Sequence, residues 1–182
     1  GDEVASLNEF IVLNEQERMV PSDRDALQRE VSQLLKAAPD IRQRRYAGIG
    51  LIALGDYGRA VEVLTDVLRQ ADIEGAPGMR IAVRINLADA YRYQARHAEA
   101  MPWYEQALAL ARKERPDLAH FALQHLGKCC AEQGDAKAAV NYLREALAER
   151  LQLKDTELIE STRRALRLAG FPDEAPSPDS SV

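Results

Sequence analysis

The sequence predicts an all-α fold: a solenoid of antiparallel helix pairs with capping helices at both ends. Three observations predict it. Apolar and small residues recur at helical spacing through most of the 182 residues, as in Leu87, Ala88 and Tyr91, then Ala100, Tyr104, Ala107 and Leu108. That pattern recurs along the chain with a period near 40 residues: Ala60, Ala100 and Ala139 lie 40 and 39 apart. No segment shows the period-2 alternation bounded by turn signals that marks a half-buried strand.

The repeat is legible column by column. Second-helix columns are Leu64/Tyr104/Leu143, Val67/Ala107/Ala146 and Leu68/Leu108/Leu147. First-helix columns are Ala47/Leu87/Leu126, Gly48/Ala88/Gly127, Gly50/Ala90/Cys129 and Leu51/Tyr91/Cys130, and the turn column is Gly55/Ala95/Gly134. Small residues in register let neighbouring helices approach closely, which a stacked array requires.

In chain order, residues 3–18 read as a helix on Val4, Leu7, Phe10 and Ile11, broken at Val20-Pro21 because the residue before proline disfavours helix. Ser22 or Asp23 caps a second helix running to Ala38 on Leu27, Val31 and Leu34. Residues 1–40 miss the repeat columns and read as an N-terminal cap for the open end of the array. Three repeats follow, 41–80, 81–119 and 120–154. Gly75 is placed to end one helix and Pro77 to start the next. Pro102 falls near the start of the second helix of repeat two, and Pro116 opens repeat three. Asp155 or Thr156 caps a final helix over 155–170 that Gly170 ends, and 171–182, rich in Pro, Ser and acid, reads as a disordered tail.

Composition bounds the function. The chain is 46% hydrophobic and 29% charged, with a net charge of −5, and so lacks the basic balance of a nucleic-acid binder. No run approaches the roughly 18 apolar residues of a membrane span, and no basic stretch followed by an apolar one suggests a secretory signal. A cytoplasmic location is expected. Gly1 stands where an initiator methionine would, so the natural protein is expected to begin earlier or to be larger.

Signs of chemistry are few. Cys129 and Cys130 are adjacent on a helix and point about 100° apart, so they read as buried, reduced thiols in packing columns. His120 and His125 are five residues apart and share no helix face as a metal pair would, and His97 falls in a turn. No Gly-rich phosphate loop, G-x-S-x-G or H-E-x-x-H is present. No metal, cofactor or enzymatic activity is expected.

The columns resemble the tetratricopeptide repeat, in its longer kinesin-light-chain-like form. The matching residues are Asn86, Leu87, Ala88, Tyr91, Ala100, Pro102, Tyr104, Ala107 and Leu108, and the resemblance covers roughly residues 40–170. The first-helix Trp is absent, with Arg44, Arg84 and Leu123 in its column. The resemblance implies a right-handed superhelix whose first helices line a concave groove. Groove positions are then Arg42, Arg45, Tyr46 and Ile49 in repeat one. In repeat two they are Ile85, Asn86, Asp89, Arg92 and Tyr93, and in repeat three Phe121, Gln124, His125 and Lys128. Of the five-residue clamp that chaperone-binding relatives use for a terminal carboxylate, only Asn86 matches, so that ligand is not implied.

The expected function is a non-enzymatic protein–protein interaction module. It holds a peptide or helix of a partner in the groove, centred on Asn86, and suits an extended, acidic segment. The chain's own tail, with Asp173, Glu174 and Asp179, is one such segment. The alternatives are structural self-association as a homo-oligomer and an intramolecular regulatory segment of a larger protein.

Overall fold

A computed structural model describes residues 9–37 and 40–172. A short hairpin comes first, with strands β1 (Ile11–Leu13) and β2 (Met19–Pro21). Eight helices follow: α1 (Arg24–Lys36), α2 (Ile41–Leu54), α3 (Tyr57–Glu74), α4 (Pro77–Arg92), α5 (His97–Glu114), α6 (Ala119–Glu132), α7 (Ala136–Leu153) and α8 (Thr156–Leu168). The pairs α2/α3, α4/α5 and α6/α7 are the three repeats. The chain is thus a helical solenoid with α1 closing one end and α8 the other.

Each pair closes with the same turn. Gly55, Ala95 and Gly134 all have positive φ, at 83°, 59° and 83°. The next residue then donates its N–H to a carbonyl five positions back: Asp56 to Leu51, Arg96 to Tyr91 and Asp135 to Cys130, at 2.9, 3.0 and 2.9 Å. This is the six-to-one bond of a left-handed helix end, and glycine adopts it without a Cβ penalty. Gly75 ends α3 at φ 77° and Pro77 opens α4, as expected. Asp23, Asp40, Asp135 and Asp155 cap α1, α2, α7 and α8 through their side chains, each accepting an orphan backbone N–H.

Inside each pair the small column packs against the large one. A Cβ built on Gly48 would lie 2.6 Å from the Leu64 side chain, and one on Gly127 would lie 2.5 Å from Leu143. Repeat two has Ala88 opposite Tyr104, both fully buried. Three linked cores result: one from α1 to α4, one from α4 to α7, and one between α7 and α8. Leu27, Val31 and Leu34 of α1 belong to the first, so α1 caps the array as expected.

Two local expectations are corrected. Pro116 opens a 3₁₀ turn, Pro116–Leu118, and α6 begins only at Ala119. Pro102 is the sixth residue of α5, beyond the free N–H groups of the first turn, and so forfeits one helix hydrogen bond.

The larger correction is at the N-terminus. Within the segment read as a helix over 3–18, Glu9 and Phe10 are helical but the chain then turns into the hairpin. Its register is Ile11 to Pro21, Val12 to Val20 and Leu13 to Met19. The reasons are local and tertiary. Ile11 and Val12 are β-branched. The Asn14 side-chain oxygen accepts the N–H groups of Gln16 and Arg18, both at 3.0 Å, which competes with helix formation. Glu17 takes φ 59°, a left-handed conformation that its tertiary contacts hold. The strands form only a two-stranded ribbon, marginal alone and stabilised by what it lies on. Residues 1–8, 38–39 and 173–182, with the early part of the expected first helix and most of the expected tail, lie outside the described residues.

Candidate functional site: the roofed concave face

The first helices of the repeats, α2, α4 and α6, present one side to a common concavity. The groove positions expected from the columns can be followed individually. Arg45, Ile49, Asn86, Asp89, Tyr93, Gln124, His125 and Lys128 all line a single half-enclosed cavity of about 470 Å³. Arg42 is exposed and lies away from it, and Tyr46 packs against the first core with the Arg45 guanidinium 5.1 Å from its ring centre. Neither lines the cavity.

The concave face is not an open groove. The hairpin lies across it, and Leu13, Glu17 and Met19 form part of the cavity wall. Its attachment uses groove residues. The Tyr93 hydroxyl accepts the Met19 N–H at 2.7 Å, and the Tyr93 carbonyl accepts from Arg18 at 3.1 Å. The Arg18 guanidinium also sits 4.2 Å from the centre of the Tyr93 ring. Lys128 Nζ donates to the Glu17 carbonyl at 2.6 Å. The Glu17 carboxylate, 1% exposed, accepts from the Ser161 hydroxyl and from Arg164 Nε at 3.1 Å, both on α8. A buried carboxylate is tolerable only with such partners. The acid-bearing turn of the hairpin, with the first residue of β2, therefore bridges the end of α4, α6 and α8.

Beneath the hairpin, Asp89 and Arg92 depart from the open positions expected of them, being 3% and 1% exposed. The Tyr104 hydroxyl donates to Asp89, and Arg92 Nε donates to Tyr104 Oη at 2.9 Å. Arg92 Nη1 reaches Glu132 on α6 at 2.7 Å. The two residues tie the first and second helices of repeat two to repeat three. Burial pushes the Tyr93 phenol up to about 12, and the Tyr104 phenol is also raised, chiefly by burial.

Cations dominate what remains. Burial pulls Lys128 down to about 8, with Arg92 adding to the effect. It likewise pulls Arg150 down to about 10 and lowers Arg45. His125, opening onto the cavity and stacked parallel to Tyr104, is pulled down to about 3 by desolvation and is neutral near pH 7. Asn86 faces the concavity, as its position before the core pair Leu87 and Ala88 implies. It is buried there, with its side-chain oxygen accepting from Arg45 Nη1 at 2.8 Å.

The sequence did not point to Glu17, Arg18, Ser161, Arg164 or Arg150 as neighbours of this face. Asn14 and the β-branched pair before it were the available signals of a turn. No local feature places that turn on repeat two and α8.

The cysteines are structural. Both are buried and free, and burial pushes the Cys129 thiol up to about 12 and raises Cys130 as well. Among the described residues, no helix is long and apolar enough to cross a membrane.

Comparison with known proteins bears on the architecture. A family model described as tetratricopeptide repeat matches residues 45–113 and 83–150. No curated protein sequence matches. Among solved structures, a Rap protein complexed with competence and sporulation factor superposes with a TM-score of 0.68 at 14% identity. That match covers 81% of this chain and 42% of the Rap chain. The kinesin light chain TPR-like repeats of Podosopora anserina give a TM-score of 0.55 at 21% identity, covering 81% of this chain and 77% of theirs. BtubC (BKLC) from P. vanneervenii gives 0.59 at 15% identity, covering 80% and 65%. At these identities the likeness is one of fold.

Proposed function

This chain belongs to the tetratricopeptide repeat family, and we propose that its concave face is a receptor for an extended, acid-bearing segment of another protein. The observation that carries this reading is the hairpin itself. A hairpin segment of the chain already lies on the face, held through its backbone by Tyr93 and Lys128 and through one buried carboxylate by Ser161 and Arg164. Backbone recognition with a few side-chain anchors is how extended peptides are held in general. A partner segment of the same chemistry takes the hairpin's place. The similar Rap solenoid, solved with a bound factor, supports the reading at the level of fold. The repeat architecture supports an interaction module more broadly.

A labelled peptide of residues 9–22 added to the intact chain tests this. The tethered hairpin competes at an effective concentration of order millimolar, so wild type should bind it weakly. A chain weakened by Glu17→Ala and Arg18→Ala should bind it about tenfold more tightly. In that background Tyr93→Phe and Lys128→Met should each weaken binding by about tenfold, the loss expected for one hydrogen bond to a buried or charged group. Arg69→Ala, on the exposed face of α3, should change nothing. If both groove variants bind as their parent does, the concave face is not the receptor.

A further inference from the structure

The cavity left between the hairpin and the helices has its own chemistry. Its walls are mostly apolar, from Ile49, Ile81, Ile85 and Leu158 to Phe121 at the rim. Three cations, Arg45, Lys128 and Arg150, also line it, and among the described residues none is ion-paired with a carboxylate. Lys128 is bound to a backbone carbonyl, Arg45 to an amide oxygen, and Arg150 to His120, Thr162 and the Leu158 carbonyl. The two acids on the wall are committed elsewhere, Asp89 to Tyr104 and Arg92, Glu17 to Ser161 and Arg164.

Three residues that line this cavity carry a buried polar atom with no hydrogen-bond partner: Arg45 Nε, Gln124 Oε1 and His125 Nδ1. Gln124 is 3% exposed. Buried groups of this kind are costly, and native structures pair nearly all of them. At the α2–α4 side the arrangement is specific. Arg45 holds the Asn86 oxygen through Nη1, which leaves the Asn86 amide N–H groups and the rest of the Arg45 guanidinium on the same wall. Donors and positive charge that no wall carboxylate pairs, beside an apolar cavity of about 470 Å³, define the complementary ligand.

We propose that this cavity binds a small amphipathic carboxylic acid, its carboxylate on Arg45 and the Asn86 amide and its apolar body along Ile49, Ile81, Ile85 and Phe121. A neutral apolar molecule would leave the Arg45 donors unpaired, and an amine would face three cations. The hairpin is the roof of this site, so the ligand binds with the hairpin in place. The inference thus goes beyond the partner-segment reading, in which the hairpin gives way.

Calorimetry on the full chain with a medium-chain fatty carboxylate, decanoate, tests it, with 1-decanol and decylamine as the other arms. Decanoate should bind about tenfold or more tightly than decanol, the gain expected of charge-assisted hydrogen bonds, and decylamine should not bind. Arg45→Gln should bring decanoate to the level of decanol and leave decanol unchanged. Ala82→Phe, which places a ring in the cavity from a half-buried position on α4, should abolish binding of both. Circular dichroism and melting temperature establish that each variant is folded. Equal affinity for decanoate and decanol, or decanoate binding untouched by either substitution, overturns the assignment. So does decanoate binding that requires the Glu17→Ala, Arg18→Ala chain, because the roof would then be no part of the site.

Discussion

The seam inside each helix pair and the concave face between pairs are built from the same repeat by opposite rules. Along the seam a column keeps its size in every repeat: Gly48, Ala88 and Gly127 stay small against Leu64, Tyr104 and Leu143. On the concave face a column changes its chemistry in every repeat. Arg45, Ile85 and Gln124 share one column, Tyr46, Asn86 and His125 the next, and Ile49, Asp89 and Lys128 another. The seam has one task three times over, close packing, and that fixes volume. The face has no repeated task, so its residues are free to build one asymmetric surface.

The sharpest way to break this contrast is at Arg92, whose column is Ile52, Arg92 and Ala131. If face residues were interchangeable between repeats, Arg92→Met would be mild. We expect it to destabilise by about 3–5 kcal/mol, because it leaves Asp89 buried without its cation. Urea denaturation measures this, and a loss below about 1 kcal/mol would place Arg92 in the class of simple space-filling residues.

The seam half of the contrast is tested at Gly127. An added methyl at 2.5 Å from Leu143 Cγ and 3.3 Å from the Ala139 carbonyl must push α6 and α7 apart. Gly127→Ala should cost about 1–3 kcal/mol. The double change with Leu143→Ala should cost less than the two single changes summed. Strict additivity in the thermodynamic cycle would mean that the two side chains do not meet.

A smaller effect separates repeat three from the others. His120 stands in a column with Ile41 and Ile81. Arg150 Nε donates to His120 Nδ1 at 2.9 Å, which requires the neutral ring, and burial with Arg150 pulls the imidazole down to about 4. The folded state therefore binds fewer protons than the unfolded one between about pH 4 and pH 6.5, so stability is retained above pH 6.5 and falls as pH drops through that window. The slope from this residue approaches at most about 1.4 kcal/mol per pH unit. His120→Gln keeps an acceptor for Arg150 and should flatten the part of the stability–pH curve that belongs to it. An unchanged slope would mean that His125, pulled down to about 3, or other groups carry the dependence.

The same contrast explains what the sequence made legible. Every seam column and every turn glycine was readable because recurrence at 40 and 39 residues separates packing from chance. Recurrence also showed which positions face the concavity, and ten of the thirteen named there line its cavity, all but Arg42, Tyr46 and Arg92. It could not show that Asp89 and Arg92 are paired with each other and bound by Tyr104 and Glu132, since those partners occur in one repeat only. Nor could it show the hairpin. Glu17 meets Ser161 across 144 residues, and a contact of that span leaves no trace in local periodicity. Local periodicity favoured a helix, and from Ile11 to Arg18 local and tertiary contacts overrode it.

In the proposed function the concave face receives acid-bearing segments and the hairpin is its resident one. Amide hydrogen exchange at Met19, whose N–H is bonded to the Tyr93 hydroxyl, reads this directly. In the free protein that amide should exchange about a hundredfold or more slowly than in an unstructured chain. Unlabelled peptide of residues 9–22, at roughly millimolar concentration, should accelerate exchange at Met19 of the isotope-labelled chain and leave the amides of α7 unchanged. An unprotected Met19 in the free protein, or a Met19 that stays equally slow while the peptide is bound, would contradict the claim.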